Sequence, residues 1–289
     1  ALNTGGKPVA TGRLITGPGG GMGTWDDVQE QARNLLGIEL ADSDVLNVPL
    51  LATDPYGRFL RGPNGYPMLA TSAGPVEGSP PATPGEPAGT TTADALRTGH
   101  AFLDDIAHTA APSPGKTADT DTEVNTTPPP SGSYDDELLG AHFVAGDGRV
   151  NENIALTAVH HVFHAEHNRL TQDINGRILE LLTPDEQAEW QQVDPASGWD
   201  YGERLFQAAR FVTEMEYQHL VFEEFIRKVQ PMVNAFGGPG WATTPRSTRR
   251  SRPSSPTPST ASVTPCSPRW WPGVPAVGRT TTSTSSMRS

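Results

Sequence analysis

The longest helical pattern in the chain lies in GDGRVNENIALTAVHHVFHAEHNRL, residues 146–170. After the turn residues Gly146, Asp147 and Gly148, the apolar positions Ile154, Ala155, Ala158, Val159, Val162 and Phe163 recur with the period of a helix, which predicts an amphipathic helix over 151–170. A shorter one begins at Thr24, where a hydroxyl cap precedes Trp25-Asp26-Asp27 and Val28, Ala32, Leu35 and Leu36 share a face before Gly37 ends the run. The stretch 92–111 places Leu96, His100, Leu103 and Ala107 on one face and Asp104 with His108 on a neighbouring one, so it too reads as helical. Leu138, Leu139 and His142 continue the pattern, and further helices are expected within 200–237.

Between these lie segments of another kind. Val45 to Leu51 is an apolar run followed by the turn sequences Asp54-Pro55-Tyr56-Gly57 and Gly62-Pro63-Asn64-Gly65, which predicts short strands and β-turns. Residues 1–23, ending in GPGGGMG, read as an extended arm rather than core, and residues 74–91 and 112–133 as polar loops. The fold class expected is mainly α, with long irregular loops and few short strands. Three regions are expected: 1–91, an arm, a short helix and loops; 92–240, the main domain; and 241–289, a disordered tail.

Composition narrows the class. With 28 Pro, 30 Gly and only 35% hydrophobic residues in 289, the chain has little to spend on a large core. A net charge of -12 argues against a nucleic-acid partner, which requires clustered Lys and Arg. Cys266 is the only cysteine, which excludes an internal disulfide framework. No apolar run approaches the roughly 18 residues of a membrane span. The start, ALNTGGKP, has neither an initiator Met nor a signal peptide, so a processed form or an internal fragment is expected.

Several groups carry candidate chemistry. An Asp104 carboxylate one helical turn from His108 sets the tautomer of the imidazole, or makes an ordinary surface pair. Ser133, Asp135 and Glu137 alternate as hard oxygen ligands of the kind calcium takes, or form a solvated acidic turn. His160, His164 and His167 have the spacing of zinc ligands, the basis for a metal-dependent hydrolase reading, but the order His-Glu-x-x-His is absent and a structural role is the alternative. Arg149 and Glu152 either form a salt bridge or, facing a cleft, provide a fixed positive charge for a developing anion.

The same stretch resembles the signature of the animal-type haem peroxidase superfamily, the myeloperoxidase and peroxinectin fold, in its bacterial branch. That signature reads Gly-Asp-x-Arg-x-x-Glu, followed by His-x-x-Phe/Leu-x-x-Glu-His-Asn-Arg-Leu. It is matched at Gly146, Asp147, Arg149, Glu152, His160, Phe163, Glu166, His167, Asn168, Arg169 and Leu170. The segment from Thr98 to Asp105 resembles the family's distal helix, and residues 201–230 the helix that follows. The resemblance spans roughly 95–235.

The resemblance implies a haem cofactor and a reaction in which hydrogen peroxide is reduced and a small substrate oxidised. By motif position Arg149 is the distal arginine and Glu152 the carboxylate that links to the haem rim. His108 is expected as the distal histidine, with His100 as the alternative, and Asp104 as a second haem-linking carboxylate. Asp105 falls at the family's calcium-binding aspartate, and Ser133, Asp135 and Glu137 near its second calcium segment. The family also implies an extracellular, secreted protein. A non-catalytic, calcium-dependent interaction or adhesion module of the same fold is the alternative function.

The tail departs from the rest. Residues 241–289 contain seven Arg and no Lys, Asp or Glu, and subtracting those seven from -12 leaves -19 on the first 240 residues. No residue after 240 is a histidine, so no position matches the family's proximal haem ligand. Read from the third base of plausible GC-rich codons, residues 241–271 permit a segment containing RFGHS, which resembles the family's proximal-histidine segment. An out-of-frame tail, and with it a truncated and inactive peroxidase, is therefore expected.

Overall fold

A computed structural model describes residues 6–81, 89–105, 108–124 and 129–232 of the chain. It is mainly helical, with strands of two residues each. Helix α1 (Trp25–Gln31) starts where expected. Thr24 caps it in a reciprocal box with Asp27, whose carboxylate accepts the Thr24 N–H at 2.8 Å. A π-helical turn, Ala32–Leu36, extends α1 to Gly37, whose φ of 70° ends it. A side chain at Gly37 would also lie 2.3 Å from the backbone nitrogen of Pro80.

Three small sheets follow. Strand β1 (Ile38–Glu39) pairs in parallel with β4 (Thr90–Thr91), β2 (Met68–Leu69) antiparallel with β3 (Val76–Glu77), and β5 (Thr117–Ala118) in parallel with β6 (Ser133–Tyr134). The ends of the expected polar loop 74–91 are therefore paired strands. Both predicted turns form, with Gly57 N–H donating to Asp54 O at 3.1 Å and Gly65 N–H to Gly62 O at 2.9 Å. The apolar run after Val45 pairs through isolated bridges, Pro49 with Arg97 and Leu51 with Leu69.

The expected helix over 92–111 is absent from the described part of that stretch. Its backbone donors and acceptors serve the 45–50 strand-like run instead: Val48 N–H donates to His100 O at 2.9 Å, Leu50 N–H to Leu96 O at 2.7 Å and Phe102 N–H to Val45 O at 2.6 Å. Gly99, at φ 77°, turns the chain in a way a helix interior does not allow. Buried Asp44 consolidates the run by accepting from Thr92 Oγ1 at 2.6 Å and pairing with Arg97. Ala107, placed by the pattern on the apolar face, lies outside the described residues.

Two cores result. The first gathers Met22, Trp25, Val45, Leu103, Ala110, Tyr134, Leu139 and Val150. Met22 belongs to the N-terminal arm, so the arm contributes to the core after all. Trp25 Nε1 and Tyr134 Oη donate to the two oxygens of Asp42, at 3.0 and 2.9 Å. Helix α2 (Asp136–Ala141) closes this core.

The second core lies between α3 (Ile154–Asp173) and α5 (Tyr201–His219), where Leu170, Ile174, Leu179, Leu205 and Ala209 meet. A short α4 (Pro184–Gln191) and α6 (Ile226–Val229) are the remaining α-helices among the described residues. Helix α3 begins close to its predicted start, with Asn153 as cap, but much of its apolar stripe faces solvent: Ile154 is 88% and Val162 60% exposed. No helix of the described residues is long and apolar enough to cross a membrane. The tail 241–289 lies outside the described residues.

Candidate active site

The loop between α2 and α3 presents Arg149. Asp147 Oδ1 accepts the Arg149 backbone N–H at 3.0 Å and Nε at 3.2 Å, while Nη2 reaches Oδ2 at 3.3 Å. Fully buried Val150 anchors the next position, and its carbonyl accepts from Thr157 Oγ1 at 2.7 Å. Asn151 binds both backbone groups of Phe143, at 2.9 and 3.0 Å. The arginine is thus held by Asp147 while its side chain, 62% exposed, remains accessible.

The charges of two further carboxylates act on it. The Asp104 N–H donates to Gly148 O at 2.8 Å, which seats Asp104 beside the Arg149 loop. The hydrogen bond from Arg149 to Asp147 raises the guanidinium pKa above its ordinary value, and the charges of Asp147, Glu152 and Asp104 reinforce the shift. Asp147 is pushed down in turn, first by the Arg149 N–H. Glu152 Oε1 is a buried atom with no hydrogen-bond partner among the described residues. An orphaned carboxylate oxygen beside an arginine suits a site that receives a further group.

His108 takes a different partner from the one its spacing suggested. Without a helix, Asp104 and His108 do not stack. Instead Asp105 Oδ1 accepts the His108 backbone N–H at 2.9 Å and lies 3.1 Å from His108 Nδ1, while Asp105 Oδ2 accepts the Ala110 N–H at 2.8 Å.

His142, which the sequence offered only as a helix position, completes this cluster. Its Nδ1–H donates to Leu138 O at 2.6 Å, and its Nε2 lies 3.8 Å from Asp105 Oδ1, a charge-pair distance longer than a hydrogen bond. Burial raises the Asp105 pKa, but His142 and the N–H groups of Ala110 and His108 outweigh it and hold the carboxyl well below its ordinary value. Burial likewise lowers His142, and Asp105 with the Leu138 carbonyl outweighs it and raises the imidazole. The rings of His108 and His142 meet edge to face, 5.3 Å apart. His100, the alternative distal histidine, sits in the exposed turn beside Gly99.

The four expected calcium ligands are not brought together. Asp105 faces imidazoles, Ser133 Oγ donates to Pro130 O at 2.8 Å, and buried Asp135 caps α2 by accepting the Leu138 N–H at 2.6 Å. Glu137 instead joins Asp119 and Asp121, with ligand oxygens all within 4.8 Å of one another. Asp119 Oδ1 and Glu137 Oε2 have no hydrogen-bond partner among the described residues. Burial and then the charges of Asp121, Asp135 and Asp136 push the Asp119 pKa up, the electrostatic mark of crowded carboxylates.

The α3 histidines disperse as well. His164 Nε2 donates to Ile15 O at 2.6 Å and buried His167 lies 3.3 Å from Phe206 O, whereas His160 acts on Asp147. They form no metal cluster among the described residues.

These features define a mainly helical domain in which Arg149, held by Asp147 and under the charges of Glu152 and Asp104, stands at the loop that enters the long helix α3, and in which a separate cluster binds His108 to the Asp105 carboxylate. The chain belongs to the animal haem peroxidase family, whose model matches residues 95–240. It is 30% identical over 103 residues to Probable oxidoreductase PXDNL of Homo sapiens, covering 36% of this chain and 6% of that protein. It is 32% identical over 91 residues to peroxidasin of Drosophila melanogaster, 32% of this chain and 5% of that protein. With chorion peroxidase of Aedes aegypti it shares 34% over 84 residues, 29% and 8% of the two chains. The matched region therefore spans less than a tenth of each of these relatives. No solved structure matches the chain.

Proposed function

We propose that the chain forms the distal half of a haem peroxidase site, of the kind that reduces hydrogen peroxide and oxidises a small substrate, while the tail after residue 240 holds no histidine to serve as the proximal ligand. The observation that carries this reading is the orphaned Glu152 oxygen, whose carboxylate acts on Arg149 together with Asp104. Glu152 and Asp104 would hold the haem rim, and haem, when bound, would supply redox iron. His108 is the distal base. Its Nδ1–H donates to Asp105, which leaves Nε2 to take a proton from peroxide and return it to the departing oxygen. The ring is 40% exposed and so within reach of a small molecule. Arg149 offsets the negative charge that grows on that oxygen. Extracellular placement belongs to the same reading.

A second reading, a haem-free calcium-dependent module, is favoured by the Asp119, Asp121 and Glu137 oxygens. Haemin titration separates the two. Under the peroxidase reading the full chain shifts the haemin absorption band and oxidises a phenol with peroxide, and Arg149→Ala lowers kcat/KM about 100-fold. The melting temperature stays unchanged, because the guanidinium lies outside both cores. Activity unaffected by Arg149→Ala refutes its role. A haemin spectrum that never changes, together with stabilisation by calcium that Glu137→Gln removes, establishes the second reading.

A further inference from the structure

We propose that Asp105, His108 and His142 form a binding site for a divalent transition metal ion of the zinc type. The donor set is built rather than incidental. The His142 side chain is 5% exposed, and its Nε2 has no hydrogen-bond partner among the described residues. Because Nδ1–H is committed to the Leu138 carbonyl, the tautomer is set and the Nε2 lone pair is left free near Asp105. A ligating histidine is oriented in the same way, by a backbone carbonyl bound at its other nitrogen. Asp105, with a side chain 2% exposed, is held by the N–H groups of His108 and Ala110.

Distances point to the same ion. Asp105 Oδ1 lies 3.1 Å from His108 Nδ1 and 3.8 Å from His142 Nε2, and the three residues can offer ligand atoms all within 4.8 Å of one another. A tetrahedral zinc ion with bonds of about 2.0 to 2.1 Å requires ligand atoms about 3.3 Å apart, so small side-chain shifts complete the site. Calcium and magnesium take oxygen, whereas two imidazoles and one carboxylate suit zinc, cobalt, nickel or copper. The charge of Asp135 also acts on His142, so two carboxylates balance a divalent ion. Three protein ligands leave a fourth position for water on the exposed side of His108.

The proposal shares His108 with the peroxidase reading but does not depend on haem. A metal ion on His108 Nδ1 takes the place of the proton donated to Asp105, so metal binding and proton transfer by His108 exclude one another. Metal binding is therefore measured on the full chain without haem. Calorimetric titration with zinc chloride should give one ion per chain, and cobalt(II) should give visible absorption bands of a four- or five-coordinate ion.

His108→Ala, at a half-exposed position outside both cores, should weaken zinc binding at least about 10-fold and remove the cobalt bands. His142→Gln should do the same, with circular dichroism verifying its fold. Exposed His161→Ala should change neither. No zinc uptake, uptake unaltered by His108→Ala, or cobalt displaced by equimolar calcium overturns the site. A chain that takes up zinc but neither binds haemin nor oxidises phenol keeps the metal site and loses the peroxidase reading.

Discussion

His164 illustrates how one residue's role depends on which nitrogen is used. Its Nε2–H donates to Ile15 O at 2.6 Å, and its Nδ1 is buried with no partner among the described residues. Protonation would add a second N–H that nothing there receives, and burial accordingly lowers the pKa from 6.5. Buried His167 is lowered for the same first cause. In the unfolded chain both histidines take up a proton before the folded ones do. Their contribution to stability is therefore complete above 6.5 and is lost as the pH falls through that value toward the folded pKa. His142, raised instead, acts in the opposite direction, so the comparison must be made by difference. His164→Gln keeps an N–H for Ile15 but cannot titrate. The melting temperature of the wild type should fall more steeply than that of His164→Gln between about pH 7.5 and 5. A difference independent of pH would refute this account. The spacing of His160, His164 and His167 was legible in the sequence; the carbonyls that face His164 and His167 were not.

At the scale of elements, the N-terminal arm and the α3–α5 pair form one unit. Asn168 binds both backbone groups of Leu14, Oδ1 accepting the N–H at 2.8 Å and Nδ2 donating to the carbonyl at 3.4 Å. Thr171 Oγ1 donates to Gly12 O at 3.0 Å. The arm runs so close that a side chain at Gly202 would lie 2.0 Å from Ala10 O, and one at Gly12 2.7 Å from Leu205 Cβ. Gly202→Ala should therefore push the arm off α5 and cost about 1 to 3 kcal/mol, read by urea unfolding. Protease cleavage within residues 6–23 should accelerate with it. An arm as protected as in the wild type would disprove the contact. The Glu-His-Asn-Arg-Leu run is recognisable in the sequence, and a structural role for His167 is among its readings. The run does not show that Asn168 clasps the arm, because a side-chain amide is equally compatible with solvent. The spacing in 92–111 likewise predicts a helix, whereas backbone groups in its described part are committed to the 45–50 run.

At the scale of the molecule, an apolar surface left open among the described residues is informative. Val162 and Phe163 of α3 and Met215 of α5 line an open groove with Leu220, and Val162 is 60% exposed. An apolar groove of this kind on a folded chain binds hydrophobic dyes and promotes association. The full chain should enhance the fluorescence of such a dye. The double variant Val162→Glu and Met215→Glu should lower that signal without unfolding α3, as circular dichroism would show. Equal fluorescence from both proteins would place the dye elsewhere. The mainly helical class with few strands was legible from periodicity and from the Gly and Pro content. The exposure of this stripe was not, since an amphipathic pattern specifies an apolar face and not what covers it.

The sequence by itself determined the family, the loop-to-helix junction bearing Arg149 and Glu152, and the starts of α1 and α3. Each of these is written in contiguous residues, through a motif, a cap or a 3.6-residue period. Tertiary structure decided that Asp105 rather than Asp104 holds His108, that His142 joins them, that Glu137 turns to Asp119 and Asp121, and that the arm is part of the fold. Apart from Asp105 with His108, those contacts join residues distant along the chain. They are settled by which buried donor or acceptor can be satisfied where the backbone already lies, and no local pattern records that competition.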